Sequence, residues 1–179
     1  MKEYKLPIGC DVPETIILAD GDFPSHPLAL EWLRQCPYVV CCDGAANTYI
    51  RSGRMPEAIV GDGDSLLPDI KERYASLIHS EAEQETNDLS KAFRFCLSQE
   101  RKRITIMGAT GKREDHTIGN VSLLADYMEQ AEVSMMTDYG IFVPIREDSM
   151  FESYIGQQIS VFNMNSTAVS YTHLRAHET

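Results

Sequence analysis

The stretch that decides the fold is Ala58-Ile59-Val60-Gly61-Asp62-Gly63-Asp64-Ser65. An unbroken apolar triplet suits a strand covered on both faces, as in a parallel sheet. The glycines and aspartates that follow are turn formers. The reading is a buried strand ending in a tight turn, which delivers two carboxylates to the carboxyl edge of a sheet. Open α/β folds bind their ligands at that edge. Two nearby acids repel unless a cation lies between them, and Mg²⁺ with a polyphosphate is a common solution. The plainer alternative is a turn in which aspartate caps backbone amides. A calcium loop of the EF-hand type is excluded, because counting from Asp62 puts Leu67 and Arg73 where that loop needs Gly and Glu.

Outward from this strand, apolar runs alternate with helical patterns. Thr15 to Ala19 and Tyr38 to Cys42 read as strands closing in Asp20-Gly21 and Asp43-Gly44, and Ile104 to Met107 as a strand running into Gly108. Val133 to Met136 reads as another strand and Leu77-Ile78 as a weak one. Helices are expected over His26–Gln35, Ala45–Arg51 and Pro68–Ser76. The clearest helix carries Leu89, Ala92, Phe93, Cys96 and Leu97 at i, i+3, i+4, i+7 and i+8. A further one is marked by Ile118, Val121, Ala125 and Met128. Alternating strands and helices predict an α/β fold, a mostly parallel sheet flanked by helices. Ile141 to Val143, Phe151 to Ile155 and Ile159 to Phe162 are short strand-like runs without intervening helices, the start of an all-β sandwich. The expected organisation is residues 1–145 as the α/β nucleotide-binding domain and 146–167 as the truncated beginning of the β domain. Residues 168–179 read as a non-native tail, and the i, i+4 pair His173 and His177 within it is discounted as a metal signal.

The 179 residues carry 43% hydrophobic residues and a net charge of −11, enough apolar content for a core and too acidic for an open nucleic-acid surface. No run approaches a membrane span and no signal peptide is read, so the expectation is a cytoplasmic protein. Cys10, Cys36, Cys41, Cys42 and Cys96 are odd in number and form no C-x-x-C pair, which reads as reduced thiols. Cys41 and Cys42 are adjacent in a strand and are expected on opposite faces.

Two further constellations carry chemistry. Asn87 is a plausible N-cap, Asp88 would lie at the positive end of the helix dipole, and Lys91 emerges three residues on. Either they cap the helix and form a surface ion pair, or Asp88 serves a metal and Lys91 a phosphate. Gly108-Ala109-Thr110-Gly111-Lys112-Arg113-Glu114-Asp115-His116 is a glycine-rich strand-to-helix turn with a basic pair and Asp115 as the expected N-cap. Such turns favour phosphate, and the glycine spacing excludes a Walker A loop.

These motifs, with Asp43-Gly44-Ala45-Ala46-Asn47, Asn87-Asp88-Leu89-Ser90-Lys91-Ala92 and the run on to Ile118-Gly119-Asn120, occur in the order and spacing of the thiamine pyrophosphokinases. The chain resembles that family from about Thr15 to Asn163. The resemblance implies Mg²⁺-dependent transfer of a pyrophosphoryl group from ATP to thiamine, giving thiamine diphosphate and AMP, by a homodimer. It places Asp62, Asp64 and Asp88 as metal ligands and adds Lys91 and Arg113 as catalytic residues. Asp43, Gly44, Asn47, Thr110, Gly111, Arg113, Asp115 and His116 fall at nucleotide-binding positions. Gly63 stands where the family often has Phe, and only the first strands of the family's thiamine-binding β-sandwich are present. The alternatives are another Mg²⁺-dependent phosphotransferase or phosphohydrolase, and a fragment that binds Mg–ATP without turnover. An incomplete β domain is also expected to leave Phe151, Ile159 and Phe162 uncovered.

Overall fold

The computed structural model describes residues 1–7, 11–80, 86–163 and 172–175. Cys10, Glu85, His177 and the rest of the set-apart tail except 172–175 lie outside them. The chain divides into two compact units, Gly9–Pro144 and the pair of segments Met1–Ile8 and Ile145–Thr179.

In chain order the elements are β1 (Lys2–Tyr4), β2 (Ile16–Leu18), α1 (Pro27–Gln35), β3 (Val39–Cys42), α2 (Ala45–Arg51), β4 (Ala58–Val60), α3 (Pro68–Arg73), β5 (Ile78–His79), α4 (Asp88–Ser98), β6 (Arg103–Met107), α5 (Glu114–Tyr127), β7 (Glu132–Met136), β8 (Ile141–Phe142), β9 (Ser149–Phe151), β10 (Gln158–Val161) and β11 (Thr172–Arg175). In the Gly9–Pro144 unit seven strands form one sheet in the order β5-β4-β3-β2-β6-β7-β8. All its pairings are parallel except β7 with β8. The chain enters at β2, builds outward to β5, then crosses back to β6 on the other side. The strand order therefore reverses between β2 and β6, where α/β sheets open a ligand crevice.

Helices cover both faces. Ile17, Val40, Cys42, Val60 and Ile106 pack on α4 and α5, while Ile16, Leu18, Val39, Cys41 and Ile59 pack with Trp32, Leu33, Tyr49 and Ile70 of α1, α2 and α3. Cys41 and Cys42 thus face opposite layers, as the strand period requires. Their thiols and that of Cys96 are buried and unpaired, and burial pushes Cys96 up to about 12. On α4 Leu89, Ala92, Phe93 and Cys96 of the expected stripe are buried and Leu97 is half-buried.

On α5 the expected stripe holds only in part: Val121 and Met128 pack against the core half-buried. Ile118 is 68% exposed and Ala125 is exposed, while Asn120, Leu124 and Tyr127 are buried. The inward face carries a polar residue, Asn120, which hides it from a hydrophobic reading. Asp115 is also not the N-cap. Arg113 occupies that position, and Asp115 in the first turn accepts foremost from the Arg113 guanidinium, with the His116 amide a lesser donor. The run 141–143, one of the short strand-like runs, lies within the expected 1–145 domain and contributes β8 to the edge of the main sheet.

Asp138, after β7, holds the start of α1. Its carboxylate accepts from the Ser25 amide at 2.9 Å, the His26 amide at 2.9 Å and the Ser25 hydroxyl. These donors, the Ser25 hydroxyl foremost, keep the Asp138 carboxyl below the usual carboxylate range. A depressed pKa contributes stability above the unfolded value, about 3.9, that is lost as pH falls through the lower folded value. Asp138→Asn is therefore expected to melt a few degrees lower than the wild type at neutral pH, about the loss expected of a helix-capping group. The gap should narrow as the pH falls below the usual carboxylate range; a gap independent of pH would contradict the charge-based account.

In the other unit β1 pairs in parallel with β9, with Tyr4 stacked on Phe151 at 4.7 Å. The segment at the N-terminus, expected in the first domain, therefore groups with the β unit. β10 pairs antiparallel with β11, Gln158 opposite Arg175. Phe151, Tyr154, Ile155 and Phe162 are exposed. Among the described residues no helix is long and apolar enough to cross a membrane.

Candidate active site

Because β2, β3, β4 and β6 run parallel, their outgoing loops reach one edge together. At the switch point the first and last of these loops are joined by backbone bonds. The Gly21 amide donates to the Gly108 carbonyl at 2.6 Å, and the Asp22 amide to the Thr110 carbonyl at 2.8 Å. A Cβ on Gly21 would stand 2.3 Å from the Thr110 carbonyl oxygen, so the approach requires glycine. Lys112 reaches back across the same place, its Nζ 3.0 Å from both the carbonyl oxygen and Oδ1 of Asp20.

Beside this junction three carboxylates gather. Asp43, at the end of β3, is 3% exposed and adopts φ +20°. Its Oδ2 accepts from the Ser65 amide at 3.0 Å, while the buried Oδ1 has no hydrogen-bond partner. Burial, and then the charges of Asp88 and Asp62, raise the Asp43 carboxyl above its ordinary value. Gly61 lets these groups meet: a Cβ there would lie 2.8 Å from the Asp43 Cβ and 3.4 Å from the Asp88 Cγ. Asp62 goes the other way. The Asp64 amide donates to its Oδ1 at 3.1 Å, and this bond foremost, then a hydrogen bond with the Asp43 carboxyl and the Lys91 charge, hold it below the usual range. The same bond is the turn-capping role that the sequence allowed. Lys91 is buried, 5% exposed, with Nζ 3.1 Å from Asp88 Oδ1. Asn87 caps α4 as expected, accepting from the Ser90 amide at 2.9 Å.

The cluster thus sets one buried ammonium against three carboxylates. Among the described residues no three His, Cys, Asp or Glu side chains are gathered as a metal cage. The donor chemistry nevertheless fits a hard cation: all oxygen, mutually repelling, with one buried oxygen lacking a donor.

The other expected residues take different positions. Asp64 is exposed and borders a shallow recess with Leu66, Pro68 and Lys71, where the Lys71 ammonium donates to the Gly63 carbonyl at 2.9 Å. Asn47 is occupied at both ends of its amide, donating to the Ser65 carbonyl at 2.8 Å and accepting from the Leu67 amide at 3.0 Å. It pins the acidic turn. Gly44 lies against the Asp20 carboxylate and Gly111 against that of Asp22. Thr110 is half-buried in the loop joined to Asp22. Arg113, Asp115 and His116 are exposed on the first turn of α5, and the Arg113 guanidinium lowers the Asp115 carboxyl. Asp20 and Lys112 went unassigned in the sequence. Asp20-Gly21 repeats the strand-end pattern of Asp43-Gly44, a signal that could have found the first of them.

The sequence profile of the thiamin pyrophosphokinase catalytic domain matches residues 29–136, more than half of the chain. The chain belongs to the thiamin pyrophosphokinase family. The family's substrate-binding domain matches residues 140–177. Among curated relatives, thiamine pyrophosphokinase 1 of Oryza sativa subsp. japonica is 30% identical over 129 residues, covering 58% of this chain and 49% of the relative. Thiamine pyrophosphokinase of Bacillus subtilis (strain 168) is 34% identical over 86 residues, 46% of this chain and 40% of the relative. Among solved structures, thiamin pyrophosphokinase from Geobacillus thermodenitrificans aligns with a TM-score of 0.56 and 26% identity over 68% of this chain and 58% of that one. Yeast thiamin pyrophosphokinase aligns with a TM-score of 0.58 and 16% identity over 76% of this chain and 63% of that one, a likeness of fold. The chain spans about half the length of the curated relatives it matches.

Proposed function

We propose that this family member transfers a pyrophosphoryl group from ATP to the hydroxyl of thiamine, with Mg²⁺ as cofactor, as a cytoplasmic homodimer. The observation that carries the reading is the buried, donorless oxygen of Asp43 beside Asp62 and Asp88 at the switch-point edge. The hydroxyl oxygen attacks the β-phosphorus, the bond from that phosphorus to the oxygen it shares with the α-phosphorus breaks, AMP leaves with that oxygen, and the hydroxyl proton passes to solvent. Asp62 and Asp88 would hold the cation beside Asp43, with Asp64, exposed two residues further along the same turn, as a third ligand. Bound there, Mg²⁺ would supply charge neutralisation at the phosphate oxygens. Lys91 and Arg113 balance charge on the transferring group, and Lys91 is pre-positioned by its bond to Asp88. Asp43, Gly44, Asn47, Thr110, Gly111, Asp115 and His116 shape the nucleotide side, Asn47 by bracing the acidic turn. Chemistry of this type depends on positioning more than on a strong base.

A second reading draws on the exposed apolar residues of the β unit: the chain binds Mg–ATP without turning it over. Incubating the full chain with Mg–ATP, with and without thiamine, separates the two. Thiamine-dependent AMP equimolar with thiamine diphosphate is the expected result. ATP binding without product supports the second reading, and phosphate release indifferent to thiamine points to a phosphohydrolase.

A further inference from the structure

The two halves of the candidate site stand on different elements. The Asp88–Lys91 pair opens α4, and the glycine loop follows β6. A line of side-chain amides joins them. Asn120 of α5 is 8% exposed; its Nδ2 donates to the Ala109 carbonyl at 2.8 Å. Its Oδ1 accepts from Asn87 Nδ2 at 3.3 Å, and Asn87 Oδ1 accepts from the Ser90 amide at 2.9 Å. The line therefore runs from the glycine loop, through α5, to the cap of the helix that begins with Asp88. Burying an amide is costly unless both of its ends are satisfied, and here they are. The relay is not needed to dock the helices. Phe93 stacked on Tyr127 at 3.9 Å, and the Ser90 and Tyr127 hydroxyls 2.8 Å apart, already fasten α4 to α5. What the relay adds is register at the edge, where the Ala109 carbonyl and Asp88 are held relative to each other.

We propose that Asn120 is a positioning residue. Through the Ala109 carbonyl and Asn87 it fixes the spacing between the glycine loop and the Asp88–Lys91 pair, so that both meet one polyphosphate. The inference rests on the nucleotide reading above. Two variants dissect it in the full chain. Asn87→Ser keeps a capping oxygen for α4 and deletes the donor to Asn120. Asn120→Asp keeps the shape and removes the donor to Ala109. Calorimetric affinity for Mg–ATP is expected to fall about tenfold in each, the scale of one buried hydrogen bond. Adenosine affinity should stay within twofold, and the melting temperature of Asn87→Ser should stay near the wild-type value. The double variant should be little worse than the weaker-binding single one, because the pair acts as a unit. Wild-type ATP affinity in Asn87→Ser, or equal losses for ATP and adenosine, would overturn the positioning role alone. A wild-type chain that binds no ATP would overturn the nucleotide reading and this inference with it. Should Asn120→Asp fail to fold, Asn87→Ser decides.

Discussion

Asp62→Asn and Asp64→Asn are each expected to lower Mg²⁺-dependent turnover of ATP about 10²-fold, the scale seen when one charge-stabilising group is lost. The substitutions isolate charge from shape. Asparagine at 62 still offers an oxygen to the Asp64 amide, which now donates at 3.1 Å, so the turn survives. What disappears at 62 is a carboxylate held ionised by that amide and by Lys91, next to Asp43 and Asp88. Repulsion among these acids is relieved in the same step. Asp62→Asn should therefore melt at or above the wild-type temperature while losing activity, the exchange of stability for function common at active sites. Coupled AMP assays and thermal melts on the same preparations check both halves. Wild-type turnover in both variants would remove the acids from the mechanism.

The largest stability effect is expected for Phe93→Ala. Phe93 is 2% exposed, lies between α4 and the sheet, and stacks on Tyr127 at 3.9 Å with the rings 12° from parallel. Truncating a buried phenylalanine costs about 3–5 kcal/mol through lost transfer energy and the cavity left behind. For a protein of this size the melting temperature should drop by about 10 °C. Ile118→Ala is the matched control, since Ile118 is 68% exposed on α5 and its truncation should fall within ~0.5 kcal/mol. Similar melting for the two variants would contradict the observed face of α5.

The contrast between these helices shows what a sequence discloses. On α4 the fully buried positions Leu89, Ala92, Phe93 and Cys96 are apolar, with Lys91 the charged exception and Leu97 half-buried, so periodicity finds the face. On α5 the inward row includes Asn120, buried by its bonds to Ala109 and Asn87, and counting hydrophobic residues selects Ile118 instead. The strands were legible because parallel strands covered on both faces are apolar throughout, as in Ile16–Leu18 and Ala58–Val60. The pairing of Lys2–Tyr4 with Ser149–Phe151 was not, since a three-residue strand carries no sign of a partner so far along the chain. At the site, strand-end aspartates were legible as a class. That Asp43 would be the buried member, or that Asp20 would hold Lys112, depends on contacts between loops that only the assembled sheet brings together. Asp115 misled for a related reason: a nearby guanidinium competes with backbone amides for its oxygens.

The central claim is that the carboxylates at the switch-point edge form a cation-dependent nucleotide site. Calorimetric titration of ATP into the wild-type chain and into Asp62→Asn, each with Mg²⁺ and with EDTA, tests it most directly. Mg²⁺ is expected to tighten ATP binding at least tenfold in the wild type, and Asp62→Asn to lose most of that gain. Equal ATP affinity with Mg²⁺ and with EDTA in the wild type, or an undiminished gain in Asp62→Asn, would contradict it.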